Sequence, residues 1–299
     1  MGRGKENCIM ENMFEKGCLV QLSASVWRAA RKITTEQLSD MEVSHDWLTA
    51  TKKLVDPESL KPLNKIVNTA RSYLTGVTLP FPLHGMAFIP REMITRVDNG
   101  LELHKSDFNA AVETFLSKYD ELREVAMVHL GDLFSEFDYP VDVRKKFCFV
   151  WRFVILDVPN GNTGILSPEV YEREKKKFVR TMEDARELAV LSLREEFSGM
   201  VQRIADRFSN GHDTKPKVFK HGTVHNFYEF FETFKERNIF KDEQLAELVE
   251  RAREILGGQS AEAIRSDDQI KERIGKAMKD VEDSMAEILS MPRRRIIMS

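Results

Sequence analysis

His221-Gly-Thr-Val-His225, with His212 and Asp213 a few residues upstream, is the one histidine cluster in the sequence. Imidazoles four residues apart on a helix face the same way and can share a metal ion. Gly222 and the loop composition of Asn210-Gly-His-Asp-Thr-Lys-Pro argue against a helix there, and no Cys or Glu stands at ligand spacing. His221 and His225 are therefore the metal candidates, weighed against the simpler reading of solvated or hydrogen-bonded loop histidines. No cofactor and no catalytic residue is assigned. The glycines form neither G-x-x-x-x-G-K-[ST] nor G-x-G-x-x-G, and G-x-S-x-G and H-E-x-x-H are missing too. A self-contained NTPase, a serine hydrolase or a zinc protease is not expected from these residues.

Charged clusters are the other source of chemistry. Glu195-Glu196 and Asp267-Asp268 are neighbours in sequence, which on a helix directs the two carboxylates to different parts of the surface, so both pairs read as solvated. Lys175-Lys-Lys177 is offset by Glu172, Glu174, Glu183 and Asp184 and reads the same way. Arg293, Arg294 and Arg295 are less balanced, and together with Lys215, Lys217, Lys220 and His221 they are the candidates for contacting nucleic-acid phosphates. Trp27 and Trp151 read as core anchors and not as base-stacking platforms.

The elements that must position these groups are mostly helical. Ser167-Pro168-Glu169 is an N-cap with proline at N1, and no further proline occurs before Pro216. Phe178, Met182, Ala185, Ala189, Leu193, Phe197, Met200, Ile204 and Phe208 advance by three or four, the stripe of a helix of roughly forty residues, or about 60 Å. Asp56-Pro57-Glu58 starts another helix, expected to run to about Leu74 and stop at Gly76, with Leu60, Leu63, Ile66, Val67, Ala70 and Leu74 on one face. A helical region from Arg91 to Leu130 carries Phe108, Val112, Phe115, Leu116, Tyr119, Leu122 and Val125, with a break expected near Asp98-Asn-Gly100. After the 210–216 loop come an aromatic helix (Phe227 to Phe234), one from about Asp242 to Leu256 closed by Gly257-Gly258, and a last one from about Ala261 to Met291.

Three segments read as strands. Val20, Leu22, Ala24 and Val26 alternate with more polar neighbours over residues 18–27, residues 147–156 are aromatic and β-branched, and 293–298 follow Pro292. A lone strand leaves its backbone groups unpaired, so the three are expected to share one small sheet. The fold class is thus mainly α: a long antiparallel helical hairpin or bundle, coiled-coil-like in its spacing, with a small β-sheet. Residues 1–17 are expected as an arm, 18–160 as a mixed part and 161–299 as the helical part, with 210–216 as the best internal boundary.

Composition narrows the class further. With 45 Lys and Arg against 48 Asp and Glu the formal charge is -3, so no global field draws the chain to a polyanion and any such contact must be a local patch. Three cysteines, Cys8, Cys18 and Cys148, lack C-x-x-C spacing, which fits a reducing compartment. The start of the chain has no apolar h-region, Glu6 stands where myristoylation needs Ser or Thr, and Phe147 to Leu156 is about half the ~20 residues of a spanning helix and contains Arg152. A cytoplasmic protein is expected.

Leu19-Val-Gln-Leu-Ser-Ala-Ser-Val-Trp-Arg-Ala-Ala-Arg-Lys-Ile-Thr, then Lys53-Leu-Val-Asp-Pro-Glu-Ser-Leu-Lys-Pro-Leu-Asn and Phe88-Ile-Pro, resembles a family of phage and mobile-element proteins of unknown function. The likeness covers the first half to two thirds of the chain, and its motifs are structural. Members are often encoded beside a MoxR-type AAA+ ATPase and a von Willebrand A-domain protein. The resemblance thus implies an adaptor that acts with such a partner in the cytoplasm of a bacterial host and transfers no site residues. The alternatives are a nucleic-acid-binding accessory factor using the basic residues above, and a metal-dependent enzyme around His221 and His225.

Overall fold

The computed structural model describes Met13 and residues 15–33, 49–156, 167–208, 221–259 and 261–290. Along them run β1 (Gly17–Ser25), β2 (Ala30–Lys32), β3 (Thr51–Lys53), a 3-10 turn at Pro57–Leu60 that leads into α1 (Lys61–Val77), then β4 (Leu79–Pro80) and β5 (Ala87–Pro90). There follow α2 (Ile94–Ser117), α3 (Tyr119–Leu130), β6 (Cys148–Val154), α4 (Pro168–Phe208), α5 (His221–Arg237), α6 (Glu243–Leu256), α7 (Ala261–Ser266) and α8 (Asp268–Ser290). The protein is mainly α with a small sheet of short strands, the class its periodicity predicts. Two compact units divide it: one takes in the chain up to Leu19, Gly76–Met93 and everything from Ile155, the other Val20–Thr75 and Ile94–Val154.

The first unit is organised by α4. Its 41 residues form one helix, begun by the Ser167 hydroxyl, which accepts from the Val170 amide at 3.4 Å. Met182, Ala185, Ala189, Leu193, Phe197, Met200 and Ile204 are buried, and α8 packs along α4, contributing Ile274, Met278, Val281 and Met285. Their spacing of three or four is the seam geometry that lets side chains of one helix sit between those of another. The last helix differs from its expected form. It is two pieces separated at Asp267, whose carboxylate accepts from the amides of Gln269 at 2.8 Å and Ile270 at 3.1 Å and so restarts the helix.

The aromatic helix α5 closes onto α4 through Phe197, whose ring stacks on Phe230 at 5.6 Å, with Phe227 edge-on at 6.2 Å. α6 is as its caps predict: Asp242 accepts from the Leu245 amide at 3.2 Å, and Gly257 closes the helix with φ 53, a left-handed backbone that suits glycine. Two arginine–carboxylate forks tie these elements. Arg194 meets Asp242 at 2.6 and 3.0 Å, and Arg237 meets Glu196 at 2.6 and 3.2 Å. Arg237 is only 1% exposed, so Glu196 is not the freely solvated carboxylate its sequence neighbour suggests; it neutralises a buried guanidinium, while Glu195 stays exposed. In this unit β4 and β5 pair antiparallel, Leu79 opposite Phe88 and Pro80 opposite Ala87, and the start of β1 lies beside β5, with the Arg91 amide donating to the Lys16 carbonyl at 2.7 Å.

In the second unit β1 continues as the hydrogen-bonded neighbour of β6, so two of the three expected strands do share a sheet; residues 293–298 lie outside the described residues. β2 and β3 form a separate antiparallel ribbon, Ala30 opposite Lys53, Arg31 opposite Lys52 and Lys32 opposite Thr51. The Asp56 carboxylate caps the 3-10 turn by accepting from the Glu58 amide at 3.0 Å, and the expected face of the following helix is buried at Leu60, Leu63, Val67, Ala70 and Leu74. That helix passes through Gly76 and ends on buried Val77.

α2 also runs unbroken through Asp98-Asn-Gly100. Gly100 is there for closeness, because a Cβ at that position would meet the ring of Tyr73, whose hydroxyl donates to the Arg96 carbonyl at 2.8 Å. The break comes at Lys118 instead, and Val125, expected on the buried stripe, faces outward while Ala126 is buried.

The Arg237–Glu196 fork generates a directional expectation. Glu196→Ala leaves a buried cation without its carboxylate and should cost on the order of 3 kcal/mol, whereas Arg237→Met removes the charge, keeps an apolar stem in place and should cost about 1.5 kcal/mol or less. Urea unfolding of both variants measures the difference, and equal costs would contradict it.

Candidate functional site

The second unit holds an open concavity of about 520 Å³, lined by Leu116, Tyr119, Asp120, Arg123, Glu136, Tyr139 and the run Pro140 to Arg144. Its geometry begins at Lys118. There the helix restarts as α3, and the change of direction brings Phe115 and Tyr119 together against one indole: Trp27 lies 6.4 Å from the first ring and 6.0 Å from the second. Asp120 and Glu121 in the first turn of α3 sit where the helix dipole favours anions.

The facing wall is the irregular stretch from Gly131 to Lys146. Tyr139 anchors it: its ring is buried against Phe134 at 5.4 Å, and its hydroxyl donates to the Leu54 carbonyl at 2.8 Å. Lys52, whose side chain is 4% exposed, reaches Asp138 at 2.6 Å and also donates to the Leu133 carbonyl, so one buried ammonium ties the ribbon to this wall. Arg123 spans the two walls. Its guanidinium lies 5.8 Å from the Tyr119 ring centre and 5.2 Å from that of Tyr139, it pairs with Glu136, and Asp120 is 3.7 Å away. At the far edge Arg144 grips Glu113 in a fork, one arm of which is 2.8 Å.

Burial pushes the Tyr119 hydroxyl above the ordinary tyrosine value, with Arg123 pulling it down and Asp120 and Glu136 pushing it up. Tyr139 is raised first by burial and then by Tyr119, against the pull of Arg123. The Arg144 guanidinium, by donating to it, holds the Glu113 carboxyl below its usual value. The Tyr119 hydroxyl has no hydrogen-bond partner among the described residues.

The lining of the concavity is mostly polar, and large apolar side chains stand exposed beside it. Phe137 is 97% and Val141 109% exposed, and on α3 Met127 is 49% exposed; Val125 and Val128 are exposed as well, on other faces of that helix. Met127 follows Arg123 by one helical turn, so it lies on the side of α3 that carries the ion pair to Glu136. Tyr, Arg and large apolar side chains beside a shallow hollow are of the types that can desolvate and hold another surface.

The residues singled out from sequence fall elsewhere. Arg293, Arg294, Arg295, Lys215, Lys217 and Lys220 lie outside the described residues. His221 and His225 stand in the first turns of α5, so the loop expected there is a helix; a glycine in the first turn is tolerated because that turn's amides have no helical partner to lose. His225 Nε2 lies 3.3 Å from Glu229, one turn on and passed over in the sequence, and both side chains are open to solvent. No group of three or more His, Cys, Asp or Glu able to hold a metal is found among the described residues. Trp27 and Trp151, expected in the core, are only half-buried; the Trp151 indole donates to Asp98 at 2.9 Å under the Lys105 ammonium.

The architecture defines a mainly α protein whose small sheet is built on β1 and β6. A family model described as a protein of unknown function (DUF3150) matches residues 14–205, and the chain belongs to that family. The match starts just ahead of β1 and stops inside α4, an extent that agrees with a likeness over the first half to two thirds of the chain. No curated protein and no solved structure matches. Among the described residues no helix is long and apolar enough to cross a membrane.

The two raised tyrosines set the sign of the alkaline behaviour. A hydroxyl whose folded pKa exceeds its unfolded value contributes stability that is complete below the unfolded pKa, ordinarily 10.0, and is lost as pH rises through the folded one. Unfolding free energy should therefore fall above about pH 10, and Tyr119→Phe should make that fall shallower. A pH series of denaturation curves checks it, with identical slopes in both proteins as the contrary result.

Proposed function

We propose that this chain is a non-enzymatic interaction protein whose second unit docks a protein partner through the hollow between α3 and the 131–146 stretch. The observation that carries the reading is the exposure of Phe137 and Val141 beside a floor of Tyr119, Tyr139 and Arg123. Isolated apolar residues on a surface are ordinary, but several grouped at a concavity with tyrosine and arginine form the composition of an interface core. A solvated loop gains nothing from a phenylalanine this open.

The partner class comes from the family likeness: a MoxR-type AAA+ ATPase or a von Willebrand A-domain protein, with nucleotide hydrolysis supplied by that partner and not by this chain. In this reading it serves a phage or mobile element and acts in the cytoplasm of the host cell.

The test is co-elution of the full chain with a MoxR-type ATPase from the same genome, read beside ATP turnover. The wild-type chain is expected to co-elute and to hydrolyse no ATP alone. Phe137→Asp with Val141→Asp should weaken association at least tenfold while leaving the unfolding midpoint unchanged, because neither side chain is in the core. Equal association of the variant, or ATP turnover by the chain alone, would overturn the proposal.

A further inference from the structure

The two strands that end the four-stranded sheet are finished differently. β4 is two residues long, and one of them is Pro80, which has no amide hydrogen to offer a further strand. β6 is seven residues, Cys-Phe-Val-Trp-Arg-Phe-Val, aromatic and β-branched, without proline. Among the described residues its one hydrogen-bonded neighbour is β1, so its outer side presents a row of amides and carbonyls that no ladder uses. Edges that long and that apolar take up a further strand unless shortness, proline or charge guards them. β4 has the first two guards, and β6 has only the single charge of Arg152.

Exposure along β6 is lopsided in a way that a second copy of the same strand corrects. Phe149, Trp151 and Phe153 share the face that packs on α2. Phe149 is buried against Phe108 at 5.5 Å and the Trp151 indole reaches Asp98, whereas Phe153 is left 39% exposed. On the opposite face Val150 is 45% exposed and Arg152 is open. Two copies of β6 running antiparallel about a two-fold axis at Trp151 pair along all seven residues, with Cys148 opposite Val154. In that register the bare Phe153 lies opposite Phe149 of the second copy, the covered end against the uncovered one. The Arg152 stem lies over Val150 of the second copy, and no arginine faces another, as it would with the axis one residue further on. Trp151 faces its own counterpart, an aromatic cross-strand pair. The joined sheet then ends on the guarded β4 at both sides, so assembly stops at two.

We infer that the outer edge of β6 is a homodimer contact, where a second copy of this chain adds its own β6 antiparallel with Trp151 at the two-fold axis. The contact uses none of the residues that line the hollow between α3 and the 131–146 stretch, so the two readings are tested apart.

Sedimentation velocity of the full chain over a wide range of concentration is the experiment. The wild type should pass from monomer to dimer as concentration rises. Each contact in a two-fold pair occurs twice, so a charge placed at Val150 meets Arg152 of the other copy at two points. Val150→Glu should tighten the dimer about fivefold and Val150→Lys should weaken it about fivefold. Val150 is not in the core, and the far-UV circular dichroism of both variants should match the wild type. Phe137→Asp with Val141→Asp, beside the hollow, should leave the dimer constant unchanged. A chain that stays monomeric at every concentration overturns the inference, as does a shift in the same direction, or none, for the two Val150 variants. Loss of the dimer in the Phe137 and Val141 variant does so too, and assigns self-association to the hollow.

Discussion

A helix of 41 residues cannot be left with a bare apolar stripe, and this single requirement organises the first unit. Seven side chains from Met182 to Ile204 run along one side of α4, and water is excluded from them by α8 over most of that length, by the aromatic face of α5, and indirectly by α6, which packs on α8. Propensity alone would not hold so long a helix straight in water; the tertiary seam does. The forks from Arg194 and Arg237 then fix register, since a planar guanidinium donates to a carboxylate in one orientation where an apolar seam tolerates sliding.

The second unit is built on the opposite principle. Its core elements, α1, α2 and β6, are regular, yet the hollow is formed from an interrupted helix and a succession of short turns held by polar anchors: Tyr139 on the Leu54 carbonyl, Lys52 on Asp138, Arg123 between two tyrosines. Anchors of this kind leave neighbouring residues without a structural task, and it is these neighbours, Phe137 and Val141, that are most exposed. Support and contact are thus divided between adjacent positions, which is how a surface can be apolar without unravelling.

What the sequence disclosed and what it concealed follow the same division. The long helix, the Asp56 and Asp242 caps, the Gly257 stop and the strands at β1 and β6 were legible because each rests on local spacing. The Gly100 and Gly222 readings went astray because a glycine's local cost is outweighed in one case by close packing against Tyr73 and in the other by its place in a first helical turn. Lys118, the real break, carries no breaker signal at all. The hollow was invisible for a different reason: Tyr139 and Leu54, or Lys52 and Asp138, meet only after the chain has folded across more than eighty residues, and no periodicity encodes such a meeting. Glu196 looked like one of two solvated carboxylates until its distant partner Arg237 was in place.

The packing of α8 along α4 makes the two helices one cooperative structure. Native-state amide hydrogen exchange tests it most directly, because it reads the opening free energy of each helix separately. If the claim holds, the amides from Met182 to Ala205 and those from Ile274 to Met285 exchange with a common, global opening free energy and respond together to denaturant. Should α8 instead exchange by a local opening several kcal/mol below that of α4, the seam would be an accessory contact and the two helices would not be one cooperative structure.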